Sequence, residues 1–158
     1  MINIKFLNSG ERKEILEKLN NQFGIKTIPW NLIRFGKERI MIFSGKLDEK
    51  SIEKISDRVS YIGGLGLYFG KFDDKTGEIR LSIEATQLLK DQITKNIFDL
   101  IDSQAEEWMK GQDLQLSTGR KGFLVMKYKN DFLGTGKASQ DKIGNFIPKE
   151  RRLKSKLA

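Results

Sequence analysis

Chemistry at a protein site needs a nucleophile, a base or a metal ligand, and this sequence lacks the usual ones. It contains no histidine and no cysteine, which excludes Ser-His-Asp and Cys-His catalysis, His-ligated metals, disulfides and the common zinc-finger arrangements. Carboxylates remain. Asp73/Asp74, Asp102/Glu106 and Glu106/Glu107 could do general acid–base work, but each pair falls in a turn or in the first turn of a helix, where acids are favoured for local reasons. The glycine-rich IGGLGLYFG (62–70) invites a phosphate-loop reading. Phe69 stands where the dinucleotide fingerprint needs its third glycine, however, and the stretch leads into a strand and not a helix. No GxxxxGK[ST] motif is present, and the length and pattern supply neither the parallel sheet nor the cofactor loop of a methyltransferase. The reading is therefore a non-enzymatic protein with no catalytic residue, metal site or cofactor.

Charge carries the stronger signal. The chain has 29 basic and 21 acidic residues, a net charge of +8. Residues 120–158 hold eleven of the bases and three of the acids, so the whole excess lies there and residues 1–119 are neutral. A pI near 9.6 implies attraction to nucleic acid or anionic lipid. A terminal run such as PKERRLKSKLA reads on its own as a solvated, frayed end. Here the bases extend back from the terminus through strand patterns as Lys127, Lys129 and Lys137, with Arg120 and Lys121 in the turn before them and Lys142 after. Gly134 and Gly136 are read as exposing backbone beside Lys137 for close approach of a phosphate. Phe146 offers a stacking face if exposed, and Phe132 reads as core.

The elements that must position these groups follow from periodicity. Residues 2–7 alternate as a short strand, and Ser9 is expected to cap a helix to about Asn21, with Ile15, Leu16, Leu19 and Phe23 on one stripe and a stop at Gly24. LIRFGKERIMIFSG (32–45) reads as a hairpin around Gly36-Lys37. Asp48 can cap a second helix bearing Ile52, Ile55, Val59 and Ile62, ended by Gly63-Gly64. A strand over 65–72, a turn and a strand over 78–85 follow, then helix over 84–95 with Leu88 and Leu89 inward. The second half opens with a buried strand at 97–101 and a short helix capped by Asp102 or Ser103 and closed by Gly111. Strand patterns at 113–117, 122–128, 132–139 and 142–148 complete a small barrel. The domain boundary is expected near residues 94–96, with the two halves packed together. No apolar run approaches the ~18 residues that span a bilayer, and no signal pattern opens the chain.

SQAEEWMKGQDL (103–114), GFLVMKYKNDFLGTGKAS (122–139) and IGNFIPKERR (143–152) together resemble a PUA domain, in which a short helix ends in a Gly-containing turn and a later strand carries Gly-x-Gly. The turn reads WMKGQ where many PUA domains have Pro-Gly. The last segment resembles the PUA-like tail of Fmu/Sun-type rRNA cytosine-C5 methyltransferases. With LYFGKFDDKTGEIRLSIEATQLL (67–89) placed ahead of it, the whole chain resembles ribosome-biogenesis proteins that pair a pre-PUA α/β domain with a C-terminal PUA domain.

The resemblance implies an α+β fold, with a pre-PUA-like α/β domain over 1–94 followed by a PUA-like β pseudobarrel over 95–158. It also implies RNA as ligand, rRNA or pre-rRNA first and tRNA second. The grip would use Lys110 and Gly111 on one side and Lys149, Arg151 and Arg152 on the other, with Lys154 beyond them. Ribosome-assembly factors or an RNA-modifying enzyme are the expected protein partners, the compartment is cytoplasmic, and no membrane is involved. Two other readings stand beside this one: a targeting subunit for a separate RNA-modifying enzyme, and a protein–protein assembly adaptor.

Overall fold

The computed structural model describes residues 4–46, 48, 50, 51, 54, 66–73 and 75–154. It has two sheets. In the first, β1 (Ile4–Phe6), β2 (Asn31–Phe35), β3 (Arg39–Phe43), β4 (Leu67–Phe72) and β5 (Ile79–Leu81) lie in chain order, every pair antiparallel. The helix α1 (Ser9–Phe23) packs Ile15, Leu19 and Phe23 onto it, a four-residue spacing that keeps all three on one stripe. Its cap is Asn8, not Ser9. The Asn8 side chain accepts from the Glu11 N–H at 2.9 Å while Glu11 reaches back to the Asn8 N–H, a reciprocal pair that Ser9, one residue later, cannot form with Glu11. The helix stops at Gly24, as expected.

In the second sheet the order is β6 (Ile97–Asp99), β7 (Gly122–Tyr128), β8 (Asp131–Ala138) and β9 (Ile143–Gly144). β6 runs parallel to β7, and the remaining pairs are antiparallel. The helix α3 (Asp102–Met109) makes the crossover from β6 towards β7 and drops Trp108 into the core beneath. Between the sheets lies the short helix α2 (Ile83–Leu88), followed by a 3-10 turn at Lys90–Gln92. Together the sheets form a curled half-barrel.

Several local expectations change. The strand expected over 78–85 ends at Leu81, because the Ser82 hydroxyl accepts from the Ala85 N–H and starts α2 there. That phase turns Ala85, Thr86 and Leu89 inward and leaves Leu88 half exposed. The expected buried strand at 97–101 is only three residues long, and Ile101 is 63% exposed. Neither Asp102 nor Ser103 caps α3. The Ile101 N–H donates instead to Gln104 Oε1, and the Asp102 carboxylate accepts from the Tyr128 hydroxyl at 2.7 Å. Residues 113–117 form no strand, since only Leu114 bridges to Ile143. At the second helix, the cap expected at Asp48 is made, with the Ser51 N–H donating to Asp48 Oδ1 at 2.7 Å. Its face on Ile52, Ile55, Val59 and Ile62, and its stop at Gly63-Gly64, lie outside the described residues.

One core joins the halves. Phe123, Val125 and Phe132 of the second sheet share a cluster with Leu19, Phe69, Leu81 and Leu89. Polar stitches reinforce the joint: Thr135 Oγ1 donates to Leu81 O, the Gly134 N–H donates to Thr86 Oγ1, and the Phe132 N–H donates to Gln87 Oε1. Among the described residues, no helix is long and apolar enough to cross a membrane.

A bulge in β4 shapes the outer surface. Ile40 pairs with Gly70 but Met41 with Tyr68, so Phe69 is an extra residue. Phe69 is buried in the core, while Tyr68 and Lys71, three apart, both come to the outer face, a parity that a regular strand forbids. A Cβ on Gly70 would run into the Arg80 carbonyl across the ladder. Gly70→Ala is therefore expected to lower stability by about 1–3 kcal/mol, read as a lower urea midpoint at unchanged m-value.

Candidate functional site

The C-terminal segment folds back onto the end of α3. Leu153 N–H donates to Met109 O at 2.8 Å, and Asn145 Nδ2 donates to Trp108 O and Gln112 O. Gly111, at φ +85, ends the helix, and the Arg152 side chain lies where a Cβ on Gly111 would be. The glycine is thus required twice, by its backbone conformation and by the arginine packed over it. Arg152 also donates from Nε to Ile147 O at 2.8 Å and is half buried. Its first role is to close this turn. Lys110, in an ion pair with Glu106 at 2.8 Å, and the exposed Lys149 and Lys154 are carried to the same end of the molecule by these contacts.

The remaining candidates are placed apart. Arg151 turns away from its neighbour and pairs with Glu84 of α2 at 2.7 Å. Arg120 is exposed and donates from Nη1 to Ile97 O. Lys121 is exposed, and Lys142 meets Asp113 at 3.4 Å. Phe146 is 37% exposed, tilted against Phe123, with the Arg80 guanidinium 4.2 Å from its ring centroid. Phe132 is core.

Gly134 and Gly136 do not expose backbone. Both are buried, and Gly136 makes room for Trp108 and Ile143, so their absent side chains serve internal packing. Lys137 is half buried and bound to Asp73 at 2.6 Å, over the Phe123 ring. Of the carboxylates considered for acid–base work, Asp73 is paired with Lys137, Asp102 accepts from Tyr128 and Glu106 is paired with Lys110.

The Lys137 ammonium, hydrogen-bonded to Asp73, holds that carboxyl below the usual carboxylate range, helped by the Lys75 N–H. A depressed folded-state pKa stabilises above the unfolded value and is lost as pH falls through the folded one. Below about pH 4, wild type should therefore lose stability more steeply than Asp73→Asn. Urea midpoints at neutral and acid pH measure the difference, and parallel slopes would refute it.

Cations missed from sequence line the seam between the sheets. Arg39, Lys71 and Arg80 stand opposite one another on β3, β4 and β5, on the outer face with Tyr68. They bound a groove of about 560 Å³ shared with Phe146 and Arg151. It adjoins a cleft of about 280 Å³ holding Lys75, Phe123 and Lys137. Their only trace in sequence is the odd spacing of Tyr68, Lys71 and Arg80, which carries no meaning until the bulge and the register are known.

A curled half-barrel ended by a short helix, a glycine turn and a basic C-terminal segment docked on that turn defines a PUA-type pseudobarrel beside an α/β unit. Residues 95–153 match the family model described as the Methyltransferase RsmF PUA domain. A solved PUA domain from Aeropyrum pernix K1, crystallised as a tartrate complex, shares the fold at a TM-score of 0.51 and 13% identity, over 99% of this chain and 89% of that one. None of the curated proteins matches the chain. Residues 95–153 are thus similar to a PUA domain of the kind found in the tail of Fmu/Sun-type methyltransferases, and the chain as a whole shares the fold of a solved PUA-domain structure. PUA domains are RNA-binding modules and not catalytic ones.

Proposed function

We propose that this protein binds structured RNA without transforming it, serving rRNA or pre-rRNA in ribosome biogenesis or RNA modification in the cytoplasm. In this reading residues 1–94 make the protein contacts and position residues 95–158, which grip the RNA. The observation that carries it is the docking of the basic C-terminal segment on the Gly111 turn, which assembles Lys110, Lys149 and Lys154 at one rim. Cations fixed on a folded rim position a phosphate backbone, whereas a frayed tail pays ordering entropy first.

Lys149→Glu with Lys154→Glu tests this. Both side chains are exposed, so the melt should not move, while affinity for a labelled rRNA hairpin at low salt should fall roughly tenfold or more. Unchanged affinity would remove the rim from the interface. Arg152 is unsuitable for that test, because its reversal would leave Ile147 O without its donor and lower stability by about 1–3 kcal/mol.

A second reading, docking of a separate RNA-modifying enzyme, is favoured by the likeness of residues 95–153 to a methyltransferase's PUA domain. It predicts that tagged protein recovers such an enzyme from cell extract after nuclease treatment.

A further inference from the structure

The seam groove has a chemistry different from that of the rim. Like charges placed directly across a sheet repel, yet Arg39, Lys71 and Arg80 form such a row. Lys71 is matched by Glu38 at 2.7 Å. Among the described residues, Arg39 and Arg80 have no carboxylate partner and lie over rings instead, Arg39 over Tyr68 and Arg80 over Phe146. A row of this kind is stabilised by an incoming anion. The Arg80–Phe146 pair adds a second property. The Arg80 guanidinium lies 4.2 Å from the Phe146 ring centroid, and a guanidinium beside an aromatic ring offers planar π-surface that stacks on nucleobases and is of little use to a bare phosphate. Phe146 in turn is braced by Phe123, so the platform is built from both sheets and exists only when they are joined. Phosphate-binding cations beside a stacking plane, in a groove of about 560 Å³ that lies within the range of small-ligand sites (about 300–1,000 Å³), suit one nucleotide and not a duplex, whose bases are paired and stacked.

We propose that the seam is a second RNA subsite that takes a single unpaired nucleotide, its base stacked on the Arg80–Phe146 pair and its phosphate on Arg39 and Lys71. This rests on RNA being the ligand. It extends the interface onto the N-terminal sheet, where net charge gives no hint of it.

The test uses full-length protein and two hairpins of one sequence, with 2-aminopurine in the loop of one and in the stem of the other, plus a blunt duplex. Wild type should quench the loop probe and leave the stem probe unchanged. Phe146→Leu keeps the apolar contact with Phe123 and removes the ring, and Arg80→Lys keeps the charge and removes the plane. Each should abolish loop quenching and weaken hairpin binding roughly five- to tenfold, with duplex affinity and melting temperature unchanged. Retained quenching in both variants, or equal losses for hairpin and duplex, would overturn the subsite while leaving RNA binding intact. No binding of any RNA by wild type would overturn the RNA reading and the subsite with it.

Discussion

Trp108→Ala is expected to cost about 3–5 kcal/mol, most of the stability of a domain that has about 5–15 in hand. Trp108 is fully buried and is the largest side chain of the second core, among Leu100, Leu114, Leu124, Met126 and Ile143. Its indole lies against Gly136, and Nε1–H donates to Leu133 O at 2.9 Å. Truncation opens a cavity that the sheet cannot close, because Gly136 brings no side chain to fill it. It also strands the Leu133 carbonyl. Trp108→Phe separates the two effects, retaining most of the volume while losing the donor, and should cost about 1–3 kcal/mol. The Trp108 carbonyl also receives Asn145, so damage here loosens the segment that carries Lys149 and Lys154. Denaturant titration followed by Trp30 fluorescence measures both variants from the far half of the molecule. Because Phe123, Val125 and Phe132 belong to the core shared with α1, Trp30 should report the loss. A transition unchanged in Trp108→Ala would mean that the halves unfold independently.

The second large effect is on RNA affinity and its dependence on salt. The surplus of +8 lies wholly in residues 120–158, and Lys121, Lys149 and Lys154 are solvent-facing within it. If about five phosphates are engaged, the log–log salt slope is about −3.5 for a single strand, and affinity falls roughly 100-fold between about 50 and about 200 mM salt. Removing Lys149 and Lys154 together should flatten the slope by about 1.5. Cations already matched inside the protein contribute less. Lys137 is held by Asp73 and Lys142 by Asp113, and moving either to phosphate first breaks a pair. Their reversal should therefore shift affinity less than the rim pair does. Fluorescence anisotropy over a salt series gives the slopes. A flat dependence would indicate an interface that does not release counterions, and would count against a phosphate-gripping rim.

How much of this could be read in advance differs by element. β7 was legible to its ends, because GFLVMKY is apolar between a glycine and a turn at Lys129. α1 was nearly so, since its stripe and the stop at Gly24 are local properties. The Fmu/Sun-like segment was legible because IGNFIPKERR is one uninterrupted run in the chain. Polar partners were not legible. Asp73 reads as a turn acid, but its partner Lys137 is 64 residues away. Arg151 and Arg152 are adjacent and alike, yet one faces Glu84 and the other closes over Gly111.

By itself the amino-acid sequence determined which chemistries are missing, where the surplus charge lies, and which short patterns make strands and helices. All of these depend on residue type or on neighbours within a few positions. Only the tertiary structure decided that Gly134 and Gly136 are packing residues, that Arg152 is structural, and that the neutral half contributes Arg39, Lys71 and Arg80 to a groove with Phe146. Those outcomes depend on a bulge that reverses strand parity and on a seam between residues far apart in the chain, neither of which a count of charges can contain.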